Sequence, residues 1–135
     1  MKKIVLFIWQ LPQNIIGLII LLVNLKRYDK YTLYGNDISF YVVKHLFDCR
    51  ISLGDFMLLD SDNTISEVML KHEHGHQKQS LCLGPLYLIV IGLPSLIGNI
   101  CSRIFHKEWD TERKDKWYYS LPWEKWADEL GGVKR

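Results

Sequence analysis

The sequence predicts an α+β domain in which short antiparallel strands and a polar helix are joined to two apolar, membrane-associated helical segments. Three observations carry that prediction. The runs Ile4 to Leu25 and Leu81 to Cys101 are each apolar over about twenty residues, the length a helix needs to cross about 30 Å of hydrocarbon. Between them, residues 28–60 are rich in β-branched and aromatic side chains and are punctuated by turn chemistry. Next, Thr64-x-x-Glu67 has the form of a capping box, in which a hydroxyl and a carboxylate satisfy the first free amides of a helix. At 135 residues the chain is long enough for one domain with a modest core.

The elements follow in order. The first run, 4–25, is broken only by Gln10, Gln13 and Asn14 and is flanked by Lys2-Lys3 and Lys26-Arg27. A cleaved signal peptide is the alternative, but the run lacks a small-x-small cleavage site and continues past Pro12, so it reads as a retained anchor with a kink near Pro12. In 28–60, Ile38 to Val43 reads as a strand after the Gly35-Asn36-Asp37 turn, and Arg50 to Leu59 is interrupted at Gly54-Asp55. A helix over 64–80 follows, starting near Ile65. The run 81–101 holds no charged residue, and its Gly92-Leu93-Pro94 is a natural place for a hairpin-like break. Ser102 to Lys116 is charged and reads as a surface helix or a loop. The last helix, 120–131, has Pro122 in its first turn and ends at Gly131-Gly132. For both apolar runs the competing reading is a buried core helix, which so short a chain has little left to cover.

Composition excludes some functions. The net charge is only +2, and Lys and Arg are scattered or mixed with acids, so no basic stripe points to nucleic acid. Cys49, Cys82 and Cys101 are odd in number and form no Cys-x-x-Cys, which argues against a disulfide scaffold.

The chemistry sits in His72-Glu73-His74-Gly75-His76. On a helix, residues four apart share a face, so His72 and His76 can hold one metal ion; two imidazoles suit Zn²⁺, and Glu73 stands beside them as a general base. A hydrolytic zinc takes a third protein ligand and leaves one position open. Glu124-Lys125-Trp126-Ala127-Asp128 offers two carboxylates four apart: Glu124 as the third ligand, and Asp128 as acceptor from the far nitrogen of a ligand His. Glu108, Asp110, Glu112 and Asp115 are weaker rivals, and His45 and His106 lack a supporting motif. Taken alone, either segment is also compatible with an ordinary charged helix face.

With these residues the chain resembles the gluzincin metallopeptidases, whose pattern is His-Glu-x-x-His and, on a later helix, a zinc-binding Glu with an Asp four residues on. His72 to His76 and Glu124-x-x-Ala127-Asp128 look most like the integral-membrane branch, which contains the CAAX prenyl proteases and the HtpX heat-shock proteases. Gly84 to Leu88 also resembles a Gly-Pro-Leu-Tyr-Leu stretch of small bacterial membrane proteins. The likeness covers the two helices and the membrane setting. It implies a minimal zincin-like domain in the bacterial inner membrane, with one Zn²⁺, acting on a peptide or a membrane-proximal protein. Glu73 would take a proton from a zinc-activated water and pass it to the leaving nitrogen. An edge strand from the extended segment ending at Leu59 would pair with the substrate backbone. His74 falls off the ligand face, and Gly75 reads as a site of close packing behind the metal. Larger gluzincins carry a His, Tyr or Arg beyond the third ligand to steady the oxyanion; only eleven residues follow Glu124, with no His or Tyr, so Tyr118, Tyr119 and Tyr87 become the candidate donors.

One constraint follows from the order of the segments. A single crossing by 81–101 would put His76 and Glu124 on opposite sides of the bilayer. The segment must therefore be re-entrant, lie along the surface, or enclose a site recessed in the membrane. The leading function is a membrane-bound zinc endopeptidase; the alternatives are a non-catalytic zinc-binding membrane protein and a membrane interaction module without metal.

Overall fold

The computed structural model describes residues 2–24, 28–33, 38–44, 50–61 and 65–135. The proposed turn at 35–37, the flanking Lys26 and Arg27, Thr64 of the capping box, and His45 and Cys49 lie outside the described residues. The architecture is mixed α+β, with helices packed around a four-stranded sheet.

The first apolar run forms two helices, α1 (Lys2–Trp9) and α2 (Leu11–Val23), bent by 88° at Gln10 with Pro12 in the first turn of α2. The run's few polar residues explain how it attaches. Gln13 donates to the Ser80 hydroxyl and the Gly84 carbonyl, both at 2.9 Å. Asn14 spans the bend by donating to the Phe7 carbonyl at 3.0 Å, and its Oδ1 accepts the Asp55 amide at 2.8 Å. The polar side chains of α2 thus face protein, and Ile15, Ile16, Leu18, Ile19 and Leu22 are left exposed on the other side.

Strands β1 (Tyr28–Leu33), β2 (Ile38–Val43), β3 (Arg50–Leu53) and β4 (Phe56–Asp60) form one sheet in the order β1-β2-β4-β3. The interruption at Gly54-Asp55 is the turn of a hairpin between β3 and β4, where Gly54 adopts φ 61°, a value side chains disfavour. The sheet is not wholly antiparallel, however, because β2 and β4 run parallel. Burial accounts for this: Met57, Leu58 and Leu59 of β4 are fully buried and take the interior place, while β3, beginning at exposed Arg50, is left on the edge. Phe40, Met57 and Leu59 pack with Met69 and Leu70 of the next helix to make the core.

That helix, α3, spans Glu67–Leu83, starting later and ending later than 64–80. Its cap is Ser66, extended at ψ 156°, whose hydroxyl accepts the Met69 amide at 3.2 Å. A 3₁₀ turn (Gly84–Leu86) then leads through Tyr87 into a π-turn (Leu88–Gly92) that runs straight into α4 (Leu93–Phe105). The hairpin break expected at Gly92-Leu93-Pro94 is absent. The wide turn, with Leu93 donating to the Leu88 carbonyl, accommodates a proline that cannot donate within the helix. Leu88–Phe105 is therefore one stretch of 18 residues, long and apolar enough to cross a membrane, and little of it is buried in the chain. Ser102 to Phe105 belong to α4, residues 106–110 turn the chain into α5 (Thr111–Tyr118), and α6 (Pro122–Gly131) ends at Gly132 in the left-handed conformation.

Candidate metal centre

α3 and α6 pack side by side and run antiparallel. An added Cβ at Gly75 would overlap the Ala127 carbonyl, and one at Gly131 would overlap the Lys71 carbonyl. Gln79 donates to the Trp123 carbonyl at 2.7 Å. The pairs Lys71–Gly131, Gly75–Ala127 and Gln79–Trp123 step forward by four in α3 and back by four in α6. This register sets His72 against Asp128 and His76 against Glu124.

His72, His76 and Glu124 are buried and bring their ligand atoms together in a cluster able to hold a metal ion. Glu124 Oε2 lies 3.2 Å from His72 Nε2 and 3.2 Å from His76 Nε2. The other ring nitrogens are already engaged. His72 Nδ1 is 2.7 Å from Asp128 Oδ1, and His76 Nδ1 is 2.7 Å from Gln79 Oε1. Each Nδ1 thus donates its proton to an oxygen acceptor, and each Nε2 points at the same Glu124 oxygen. Ser95 of α4 donates to Glu124 Oε1 at 2.6 Å.

Glu73, on the adjacent face of α3, is buried and accepts from the Ser52 hydroxyl of β3 at 2.8 Å. It lines a cleft of about 530 Å³ together with His72, His76, Tyr118 and Tyr119. The rest of the lining is largely apolar and comes from α2, β3 and α4.

The three candidate tyrosines all reach this cleft but are differently engaged. Tyr87 is buried and donates to the Ser52 carbonyl at 2.9 Å. Tyr118 donates to the Ser95 carbonyl at 3.4 Å. Tyr119 stands edge-on to His72, with ring centres 5.0 Å apart, beneath the Arg135 guanidinium at 3.5 Å. Among the weaker rivals, Asp110 caps α5 through the Arg113 amide at 2.8 Å. His106 stacks on Trp109 at 3.8 Å, and His74, off the ligand face, meets Gln77 at 3.1 Å.

Four participants escape a reading of the sequence: Gln79, Ser52, Ser95 and Arg135, which donates to Asp128 Oδ2 at 2.8 Å. Gln79 alone left a signal, lying three residues after His76 on the same helix.

Electrostatics bind the cluster together. Burial disfavours the charged form of His72, but hydrogen bonds to Asp128 and Glu124 and the charges of Glu73 and Glu124 outweigh it and raise its pKa to about 9. Burial also disfavours charged His76, but its hydrogen bond to Glu124 and the charges of Glu73 and Glu124 outweigh it and raise its pKa. Burial would raise Glu124 and Asp128, yet their bonds with the histidines, and with Arg135 for Asp128, bring both below the usual carboxylate range. Burial and the nearby Glu124 carboxylate push the Tyr118 hydroxyl up, so it remains a hydrogen-bond donor at neutral pH.

A pH dependence follows. Without metal, a proton on His72 balances the buried carboxylates, and a metal must displace it. Apparent metal affinity should therefore rise by about tenfold per pH unit for each proton displaced, through neutral pH until His72 loses its proton near 9. Competition titrations with a chelator across that range, with proton release followed in weak buffer, measure it. Since the folded-state pKa is raised, the metal-free fold gains stability from His72 that is complete below about pH 6.5 and lost through pH 9.

The fold and site together define a mixed α+β protein built around a buried His-His-Glu cluster beneath an apolar cleft. No family model, curated protein or solved structure matches the chain.

Proposed function

We propose that the chain is a membrane-bound, zinc-dependent endopeptidase with His72, His76 and Glu124 as zinc ligands and Glu73 as general base and acid. The observation that carries this reading is the spacing of the cluster. Zinc bonds of about 2.0–2.1 Å in a tetrahedron set neighbouring ligand atoms about 3.3 Å apart, and both imidazole nitrogens lie 3.2 Å from Glu124 Oε2. A nitrogen–carboxylate ion pair closes to about 2.7–2.9 Å, as His72 Nδ1 and Asp128 do at 2.7 Å. Two neutral imidazoles and one carboxylate form a donor set that suits zinc and leaves a position facing the cleft.

A zinc ion held there supplies a Lewis acid that acidifies water and polarises a carbonyl. The chain's residues do the rest. Asp128 and Gln79 fix the ligand rings. Glu73, restrained by Ser52, accepts a proton as the water oxygen bonds to the amide carbon, then delivers it to the nitrogen as the carbon–nitrogen bond breaks. β3 is an edge strand lining the cleft, where an extended peptide can pair through its backbone. Tyr87 is held by β3 at 2.9 Å, whereas Tyr118 reaches the Ser95 carbonyl only at 3.4 Å, so Tyr118 and Tyr119 are the freer donors toward the developing oxyanion. The apolar lining favours apolar substrate side chains, and the exposed apolar surfaces of α1, α2 and α4 support attachment to a lipid bilayer.

The test is Glu73→Gln. The amide keeps the size of the side chain but cannot take the proton, so hydrolysis should fall by about 10²–10⁴-fold while one zinc per chain remains bound. Substrates come from a peptide library with apolar residues around the scissile bond, and zinc is measured by elemental analysis. Wild-type cleavage by the variant sinks the peptidase reading.

A further inference from the structure

We propose that the chain is monotopic: α1, α2 and α4 sit in one leaflet, α4 does not cross the bilayer, and the cleft opens directly onto that leaflet. This rests on the membrane attachment in the proposed function and not on hydrolysis. The surface to be covered is extensive. Five large apolar side chains are exposed on α1, seven on α2, and nine between Leu86 and Phe105. A monomer in water rarely leaves so much open.

Packing decides between crossing and lying in one leaflet. Ser95 is the eighth of the 18 residues in Leu88–Phe105, and it bonds Glu124 of α6. One turn further on, Gly98 packs against Leu121. If the stretch crossed, α6 would sit at the bilayer midplane, with α3 beside it. Lys125 and Glu129, both exposed on α6, would then stand in hydrocarbon, where charged side chains are strongly disfavoured. The charged α5 would have to come back through the same layer, because Tyr118 already reaches Ser95. A helix lying in one leaflet meets none of these penalties: its protein side rests on α5 and α6, and Leu93, Leu96, Ile97 and Ile100 face lipid. α4 has only a narrow polar stripe of its own, Ser95, Asn99 and Arg103, and its neighbours widen that polar side.

The N-terminal helices fit the same arrangement. α2 has 13 residues and is about 20 Å long, short of the hydrocarbon thickness. The 88° bend turns α1 away from it, and α1 begins with Lys2 and Lys3, suited to anionic headgroups. Arg103 supplies a cation in the last turn of α4. Ile16, Leu93 and Leu96 are both exposed and part of the cleft lining, so the apolar surface continues into the site. The substrate this admits is an apolar segment held at the membrane, entering sideways from the leaflet.

Single cysteines at Asp29 in β1 and Glu108 between α4 and α5 test this, in a chain whose Cys49, Cys82 and Cys101 are replaced by serine. A membrane-impermeant maleimide should label both from the same side of intact cells. A nitroxide on Ile97→Cys, in phosphatidylethanolamine–phosphatidylglycerol vesicles, should report a depth within one leaflet. Lys2→Gln and Lys3→Gln should each weaken vesicle binding by about fivefold. Labelling of the two cysteines from opposite sides, or a nitroxide at the midplane, overturns the proposal. So does a detergent-free soluble dimer that ignores vesicles, since a second copy would then cover the surface. Labelling needs neither zinc nor Glu73, so failure of the peptidase reading leaves this result intact.

Discussion

Glu124→Ala should lose zinc by a far larger factor than Asp128→Ala, and the gap between them separates a ligand from a group that holds a ligand. Structural zinc binding of about 10–16 kcal/mol spread over four ligands gives each about 2.5–4 kcal/mol, about seventyfold to ninehundredfold in affinity. Asp128 acts through His72 Nδ1, and removing such an outer partner costs about ten- to a hundredfold. Both affinities are measured by competition with a chromophoric chelator at fixed pH. The comparison is clean only if Glu124→Ala still folds. Removing one member of a buried ion pair is destabilising when the other stays charged. Here the histidines can release their protons once the carboxylate that raises them has gone, leaving neutral imidazoles still bonded to Asp128 and Gln79. The metal-free variant should therefore keep its helical signal and a cooperative melt. Wild-type zinc affinity in Glu124→Ala would remove Glu124 from the ligand set.

The parts of this site legible in the sequence are those governed by spacing along one helix. His72 and His76 sit four apart, as do Glu124 and Asp128, and the structure brings the two pairs together. The end of α6 was legible for the same reason, since Gly131-Gly132 is local chemistry. Contacts between elements were not. Ser52 and Ser95 reach Glu73 and Glu124 only because β3 takes the sheet edge and α4 passes behind α6. Nothing near Arg50 to Leu53 announces that β4 would displace β3 from the interior, because strand order follows from relative burial across the whole sheet. The N-terminal run shows both sides. Its bend near Pro12 was readable, but Gln10, Gln13 and Asn14 read only as interruptions, whereas Gln13 and Asn14 are the attachment points that decide which face of α2 stays apolar.

Gly75→Ala should be strongly damaging for so small a substitution, and its sign is diagnostic. In an unconstrained helix interior, alanine is favoured over glycine by about 1 kcal/mol. At Gly75 the added methyl would overlap the backbone carbonyl of Ala127, a group inside α6 that cannot rotate away. Overpacking costs about 1–3 kcal/mol, and more where backbone must move, so the net effect is destabilisation of about 2 kcal/mol or more despite the gain in propensity. Gly92→Ala is the control: its methyl would meet only Leu88 and Tyr87, at 3.6 Å and 3.9 Å, and should leave stability unchanged or raised. Equilibrium denaturation of the metal-free proteins gives both values. The consequence for function follows from the register of the two helices. Ala127 stands three residues from Glu124, so pushing α6 outward moves the carboxylate off the two imidazoles and lengthens the 3.2 Å separations on which a shared metal depends. Zinc affinity should fall together with stability in Gly75→Ala and also in Gly131→Ala, where the methyl meets the Lys71 carbonyl at the other end of the contact. A stable Gly75→Ala with unchanged zinc affinity would mean that α3 and α6 are not held this close, and the cluster would need another origin.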